Sequence, residues 1–299
     1  MKKIFGLLLT AFIFKFAVAQ DYQNDFNKFF QENDSINQLR TLTEWEKSNP
    51  KDPELFTSYF NYYFSKSKEE ILVVAAGNPP KGEKYLSLSD SLGNYAGFIG
   101  SQINYDKSFL KKGLDKITEG INLYPNRLDM RFGKIYVLGQ IKDWNSFTKE
   151  IVKTIDYSAV NNNDWTWTND LKKKNGKDFF LSSLQDYQVQ LYNTGNDDLL
   201  LNMREIANSI LKHYPNHIES LSNLSVTYLL TGEYDKGIEP LLKAEKINPQ
   251  DYIVLLNIAQ GYKLKGDKKK AIEYYEKTLE FGDEKAKTYA KQQIDELKK

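Results

Sequence analysis

Two segments of this chain, residues 221–245 and 255–279, repeat each other at a constant offset of 34 residues. The identical pairs are Leu221/Leu255, Asn223/Asn257, Tyr228/Tyr262, Leu230/Leu264, Gly232/Gly266, Lys236/Lys270, Ile238/Ile272, Glu239/Glu273 and Lys243/Lys277. A unit this short cannot bury its apolar residues alone, so tandem copies must stack and share a continuous core. The repeat therefore limits the fold to an array of similar units.

The spacing inside one copy predicts two helices joined by a turn. Apolar residues recur at three- and four-residue steps before and after Gly232, and Pro249 closes the unit. The positions are Leu221, Leu224, Tyr228, Gly237, Leu241 and Ala244. We expect the small residue Gly237, which is Ala271 in the second copy, to let the two helices approach closely. Over residues 218–282 the chain resembles the tetratricopeptide repeat family, and this resemblance implies antiparallel helix pairs and a binding scaffold.

The same register extends toward the N-terminus. Pro215 lies 34 residues before Pro249, and residues 180–192 and 199–213 carry helical spacing ahead of it. Pro125 and Pro50 close earlier candidate repeats. We therefore predict an all-α solenoid of about six antiparallel helix pairs.

Two insertions interrupt this register. The first lies near residues 66–106, where residues 71–75 and 85–88 could be strands flanking a turn, as in a small β-hairpin. Gly93, Gly97 and Gly100 are interpreted as serving a loop or a close helix contact. The second insertion is a loop at residues 158–179. The predicted organisation is a signal peptide at 1–19, degenerate repeats at 20–157, this loop, C-terminal repeats at 180–282 and a capping helix at 283–299.

The N-terminus has the order of a secretory signal peptide. Lys2 and Lys3 precede an apolar run over residues 4–14, and Ala17 and Ala19 offer small residues before Gln20. A retained membrane anchor is the competing interpretation. We expect a periplasmic or secreted protein without a stable anchor after cleavage, and with no disulfide, because the chain contains no cysteine.

Charge disfavours nucleic acid as a partner. Removal of residues 1–19 takes three lysines and no acidic residue, so the 41 basic residues become 38 against 40 acidic ones. Phosphate binding needs a concentrated basic face, which this balance does not suggest. We expect a protein or peptide partner instead.

Motifs for catalysis, cofactors and metals are missing from the sequence. No nucleophile elbow, phosphate-binding loop or dinucleotide fingerprint occurs. His213 and His217 have ligand spacing for one helix face, but Pro215 lies between them and further zinc ligands are not evident. We predict a non-enzymatic protein without metal or cofactor.

The predicted binding site is a concave groove lined by the first helix of each repeat. Its candidate residues are Asn223, Val226, Leu230, Asn257, Gln260, Lys263, Lys287 and Lys291. The family resemblance implies a more specific hypothesis, since some tetratricopeptide domains hold a partner's C-terminal carboxylate with asparagine and two lysines. Asn257, Lys287 and Lys291 match part of that pattern, whereas Ser222 and Val226 depart from it. A solvated face on a capping helix is the alternative.

Trp165 and Trp167 in the second insertion support an alternative function. Residues two apart in an extended segment share a face, so the two rings could form a stacking platform for carbohydrate. The chain would then be a carbohydrate-binding accessory protein. Burial of both rings against neighbouring helices is the competing interpretation, because large aromatic side chains usually find burial.

Overall fold

The computed structural model describes residues 22–79 and 84–299. They form two compact units. The first contains the described residues up to Ile141 together with Thr166–Lys172, and the second contains Lys142–Trp165 and Lys173–Lys299. Within the described ranges, no helix is long and apolar enough to cross a membrane. The predicted signal peptide at residues 1–19 lies outside the described residues.

The first unit contains five α-helices among its described residues. Their bounds are 22–31 (α1), Ser35–Ser48 (α2), Pro53–Ser67 (α3), Lys107–Leu123 (α4) and Leu128–Gln140 (α5). Asp34, Asp52 and Asp106 stand at the N-caps of α2, α3 and α4, where each side chain accepts a hydrogen bond from a backbone N–H of the first turn. Such caps satisfy donors that have no partner inside the helix.

Helices α3 and α4 pack against each other although 39 residues separate them, from Lys68 to Asp106. A Cβ atom added at Gly120 of α4 would lie 2.8 Å from the Cβ atom of Phe56 on α3. No real side chain fits at that distance, so glycine is required for this approach. This packing confirms that α3 and α4 form one helix pair with the first insertion between them.

The first insertion is a three-stranded antiparallel sheet, which confirms β structure there. Its strands are Lys68–Ala75 (β1), Tyr85–Ser89 (β2) and Tyr95–Tyr105 (β3), in the order β1-β3-β2. The expected pairing is wrong in one respect, because the two anticipated segments do not pair with each other. Both pair with β3 instead. Gly97 and Gly100, interpreted from the sequence as serving a loop or a close helix contact, lie inside this strand.

The middle of the second insertion is a short hairpin held on the first unit. Thr166–Trp167 (β4) pairs with Leu171–Lys172 (β5). The backbone N–H of Asn169 donates a 2.8 Å hydrogen bond to Oε1 of Glu54. The same Glu54 oxygen accepts a 2.6 Å hydrogen bond from the Nη1 atom of Arg127, whose side chain is 1% exposed. A buried ion pair therefore orders this part of the insertion.

The second unit contains eight α-helices among its described residues. They are Trp144–Val160 (α6), Gly176–Tyr192 (α7), Leu200–His213 (α8), Ile218–Leu230 (α9), Tyr234–Ile247 (α10), Tyr252–Lys265 (α11), Lys268–Phe281 (α12) and Glu284–Leu297 (α13). From α8 onward each helix packs against the next. The solenoid of helix pairs with two insertions is thus confirmed.

The repeat register accounts for the core of α9–α13. Leu241, Ala244, Leu255 and their neighbours form one buried apolar cluster. A Cβ atom at Gly237 would lie 2.7 Å from Cδ2 of Leu229, so the expected close approach of α9 and α10 is present. Tyr228 differs from the expected core position, because its ring is only half-buried and the guanidinium carbon of Arg204 lies 3.8 Å from the ring centroid.

Candidate functional site

The first helices of the repeats in the second unit, α7, α9, α11 and α13, are neighbours. Nδ2 of Asn223 on α9 donates a 2.6 Å hydrogen bond to Oε1 of Gln185 on α7. Helices α9 and α11 are also in contact. Lys263 on α11 donates to Oε1 of Gln293 on α13 and lies 3.5 Å from Oε2 of Glu296. These four helices therefore form one continuous layer, which we call the first-helix face.

Three apolar side chains are exposed at the same end of this layer. Tyr192, Leu230 and Leu264 lie in the last turns of α7, α9 and α11, and are 53%, 54% and 42% exposed. Leu230 and Leu264 occupy equivalent positions of the 34-residue repeat. We call these three residues the apolar row. Exposed apolar groups on adjacent elements mark interaction sites more often than scattered ones do.

A cleft of about 740 Å³ lies between α7 and the turn that connects α8 to α9. Its lining residues are Lys177, Asp178, Leu181, Ser182, Gln185, His213, Tyr214, Pro215, Asn216, His217 and Glu219. Gln185 joins the cleft to the first-helix face, because it accepts the hydrogen bond from Asn223. The size is typical of ligand-binding clefts.

Both histidines of the chain line this cleft and are hydrogen-bonded. Nδ1 of His217 lies 2.8 Å from Oγ of Ser220, and Nε2 lies 3.2 Å from a carboxylate oxygen of Glu219. Burial lowers the pKa of His217, although the Glu219 carboxylate opposes the shift. Nε2 of His213 lies 2.7 Å from Oδ1 of Asp156, and this hydrogen bond lowers the pKa of the Asp156 carboxyl.

Tyr214 fixes one wall of the cleft. Its hydroxyl lies 2.6 Å from Oγ of Ser158 and donates a 2.9 Å hydrogen bond to Oδ1 of Asn163. The ammonium group of Lys177 lies 5.5 Å from the centre of the Tyr214 ring. The cleft thus presents cations, carboxylates and neutral donors on a wall held by hydrogen bonds. It can bind polar groups of either sign.

The C-terminal repeats match a known family in sequence. The family model described as "Tetratricopeptide repeat" matches residues 218–251 and 252–281. Residues 218–281 are tetratricopeptide repeats. The first matched range begins with α9 and ends after α10. The second begins with α11 and ends with the last residue of α12. Each tetratricopeptide repeat is therefore one helix pair of the structure. No curated protein matches the chain in sequence.

Three solved structures, two of them described as TPR proteins, are similar to this chain at low identity. YrrB, described as a TPR protein with an unusual peptide-binding site, is 12% identical, with 84% of this chain and 97% of YrrB covered and a TM-score of 0.41. The Sgt2 TPR domain from Aspergillus fumigatus is 19% identical, with 39% and 77% covered and a TM-score of 0.34. PilW, a type IV pilus biogenesis factor, is 11% identical, with 91% and 98% covered and a TM-score of 0.39.

The predicted groove residues of the tetratricopeptide repeats have different surroundings. Asn223 and Lys263 bridge neighbouring first helices, as described above. Oε1 of Gln260 accepts a 3.1 Å hydrogen bond from the hydroxyl of Tyr275 on α12. Val226 is half-buried, whereas Leu230 belongs to the apolar row. Three of the expected binding residues therefore already have partners within the chain.

The three residues of the carboxylate hypothesis lie on two adjacent helices. Asn257 is on α11, and Lys287 and Lys291 are on α13. Within the described part of the chain, neither lysine forms an ion pair, whereas Lys263 pairs with Glu296 and Lys277 with Glu245. Lys287 is half-buried and Lys291 is exposed. The carboxylate hypothesis stays a prediction.

The prediction that Trp165 forms part of an exposed stacking platform is wrong. Its side chain is only 1% exposed, and its ring centroid lies 5.3 Å from that of Phe180 and 5.9 Å from that of Tyr157. Trp167 is half-buried, and its ring meets Phe132 edge to face at 6.3 Å. A ring at 1% exposure cannot stack on a sugar, because the aromatic core of the second unit already covers it.

Two features of the site were missed by sequence reasoning. The cleft combines α7 with the turn after α8, and only repeat stacking brings them together. The second is two residues of the apolar row: Leu264 could have been found, since it is the repeat equivalent of the predicted Leu230, whereas Tyr192 is not at the 34-residue spacing. Among the described residues, no group of three or more His, Cys, Asp and Glu side chains could hold a metal ion.

Proposed function

We propose that this protein is a non-enzymatic scaffold whose tetratricopeptide repeats bind a segment of a protein or peptide on the first-helix face. The apolar row is the single observation that carries this proposal. Its three large side chains lie on neighbouring helices and at least 42% of each is exposed, which leaves an apolar surface for a partner to cover. Covering them removes apolar area from water and supplies the affinity.

The polar cleft at the opposite end of α7 gives a basis for specificity. It lies beside the first turns of α7 and α9, whereas the apolar row lies at their last turns. Helix α7 rises 1.5 Å per residue, so its 17 residues separate the two ends by about 25 Å. An extended segment of about seven to eight residues spans that distance. Apolar side chains of the partner would contact the row, and a polar or charged side chain would enter the cleft.

We also propose export to the periplasm or outside the cell, with the mature protein starting at Gln20. The order of charged, apolar and small residues over positions 1–19 supports this proposal. N-terminal sequencing of the protein from the exported fraction should return Gln20. Recovery of Met1 in that fraction would contradict cleavage.

The binding proposal is tested with peptides selected from a random library against the purified protein. The affinity of a selected peptide is then measured for the wild type and for a Leu230→Glu/Leu264→Glu variant. We expect a loss of at least about tenfold, because two charges replace apolar contacts. Leu230 and Leu264 are exposed, so these changes leave the core intact.

Leu201→Glu is the matched control. Leu201 is 64% exposed on α8, a second helix, and therefore lies outside the first-helix face. Its substitution should leave the affinity unchanged. Equal affinities for all three proteins, or a loss confined to Leu201→Glu, would contradict the proposed site.

A further inference from the structure

The three-stranded sheet of the first unit has one apolar face. Residues directly opposite in antiparallel strands point to the same side, and the side alternates along each strand. Val74 of β1 and Leu86 of β2 both lie opposite Ile99 of β3. Leu72, which is opposite Ser101, and Leu88, which is opposite Gly97, lie on the same side. We define the apolar sheet face as Leu72, Val74, Leu86, Leu88, Ile99 and Ile103.

This face is open to solvent. Leu72 is 80% exposed, Leu86 is 70% and Val74 is 68%, whereas Phe98 on the other side of β3 is 9% exposed. All three strands contribute, so the exposed side chains are contiguous. We estimate on the order of 500 Å² of exposed apolar area, near the upper end of the largest patch on an ordinary monomer.

The chemistry of the face restricts what can cover it. Two charged residues of β1, Lys68 opposite Tyr105 and Glu70 opposite Ile103, lie on the same side, and both stand at one end of the face. Charged partners therefore find no complementary group over most of the surface. A peptide strand that paired with the edge of β1 would satisfy backbone groups but would leave the apolar side chains uncovered. The occupant must itself be flat, apolar and about three strands wide.

A second copy of the same sheet meets these requirements. Along β3 the face alternates small and large residues, from Gly97 through Ile99 and Ser101 to Ile103. Large side chains of one copy can therefore fit beside small ones of the other, as in the packed interior of a β-sandwich. Two copies would bury about 1,000 Å² of surface in total, which is the lower limit for a specific interface.

We propose that the protein forms a homodimer in which the apolar sheet faces of two copies pack against each other as a six-stranded sandwich. A twofold axis makes the interface self-complementary, so one apolar face serves as both halves. Every residue of the apolar sheet face belongs to the first unit, whereas the first-helix face belongs to the second. Dimer formation and peptide binding can therefore fail independently.

The mass of the purified protein in solution tests this proposal. Sedimentation equilibrium of the wild type should give twice the mass of the single purified chain, which is 34.7 kDa for the full sequence and less after removal of residues 1–19. In a Val74→Lys/Leu86→Lys variant the dissociation constant should rise by roughly 100-fold or more, because each dimer would bury four unpaired charges. Both positions are exposed in the single chain, so the variant should fold. Leu201→Lys, at an equally exposed position in the second unit, should remain dimeric.

Crosslinking locates the interface. The chain contains no cysteine, so Ser101→Cys on the apolar sheet face and Ser87→Cys on the other side each introduce a single thiol. A short thiol crosslinker should give a covalent dimer with Ser101→Cys and not with Ser87→Cys. A monomeric wild type, a dimer that persists in the double-lysine variant, or equal crosslinking of the two variants would overturn the proposal. A monomer that binds neutral lipid vesicles through Val74 and Leu86 would overturn it too, by assigning the face to a membrane surface.

Discussion

Asn223 on α9 donates a 2.6 Å hydrogen bond to Gln185 on α7, and this bond joins the first helices of two successive repeats. The equivalent residue one repeat later is Asn257, whose side chain forms no hydrogen bond within the described part of the chain. The same amide therefore has different surroundings in two successive repeats. At position 223 it joins neighbouring first helices, whereas at position 257 it makes no such bond.

This difference predicts unequal effects of two identical substitutions. Asn223→Ala should lower the free energy of unfolding by about 0.5 to 1.5 kcal/mol, because it removes a hydrogen bond between half-buried groups. Asn257→Ala should change it by less than about 0.5 kcal/mol. Urea denaturation followed by circular dichroism measures both. Equal losses would show that the Gln185 contact does not stabilise the array.

We expect a larger loss of stability when Arg127 in the first unit is replaced. Its guanidinium donates to Glu54 at 2.6 Å and to Asp129 at 2.7 and 2.9 Å. Burial opposes its charge, but hydrogen bonds to Asp129 and Glu54 outweigh burial and raise the pKa of Arg127. Arg127→Met should destabilise the protein by about 3 to 5 kcal/mol, because it leaves buried carboxylates without their cation.

The control for this substitution is an exposed ion pair. Lys111 and Asp115 on α4 lie 2.6 Å apart, with side chains 75% and 64% exposed. Lys111→Met should change the free energy of unfolding by no more than about 0.5 kcal/mol. Arg127→Met should also speed hydrogen exchange at the amide of Asn169. That amide donates to the Glu54 carboxylate, which Arg127 then no longer holds in place. Unchanged exchange there would contradict the role of Arg127 in ordering the β4–β5 hairpin.

We expect the stability of the protein to depend on pH through His217. Burial lowers the pKa of its imidazole in the folded protein, whereas the unfolded chain titrates near 6.5. The unfolded state therefore binds the proton more readily, and the free energy of unfolding should fall as pH drops from about 6.5 to the folded pKa. Above about pH 7 both states are neutral and this contribution is complete.

The measurement compares the wild type with His217→Gln at several pH values between 5 and 7.5. Glutamine retains a polar side chain but cannot titrate, so the slope of unfolding free energy against pH should be smaller in the variant. Identical slopes would exclude His217 as the source. The cleft would then be less enclosed in solution than its geometry implies.

Sequence periodicity predicted the helices well where repeated residues also make the packing contacts. Gly237 is expected at a close helix contact from its place in the repeat, and the 2.7 Å distance from a Cβ atom there to Cδ2 of Leu229 explains why a small residue is needed. Strand β3 could not be predicted in the same way. Its partners are set by hydrogen bonds to β1 and β2, and Gly97 and Gly100 hide its apolar alternation.

The site was less predictable than the fold, for a physical reason. Lys177 and His217 are 40 positions apart, so the cleft that they share depends on how two repeats stack. The burial of Trp165 likewise depends on Phe180, which comes from the next helix. Neither contact leaves a periodic signal. Leu264 does follow the repeat period and extends the predicted groove by one residue.

Binding on the first-helix face is tested most directly by protection of single thiols. Because the chain has no cysteine, Leu230→Cys and Leu201→Cys each carry one reactive group at an exposed position. Alkylation rates are measured for both variants with and without a saturating peptide selected against the wild type. The proposed function predicts that the peptide slows alkylation of the Leu230→Cys protein several-fold and leaves the Leu201→Cys protein unchanged. Unchanged alkylation of Leu230→Cys in the presence of bound peptide would contradict binding on this face.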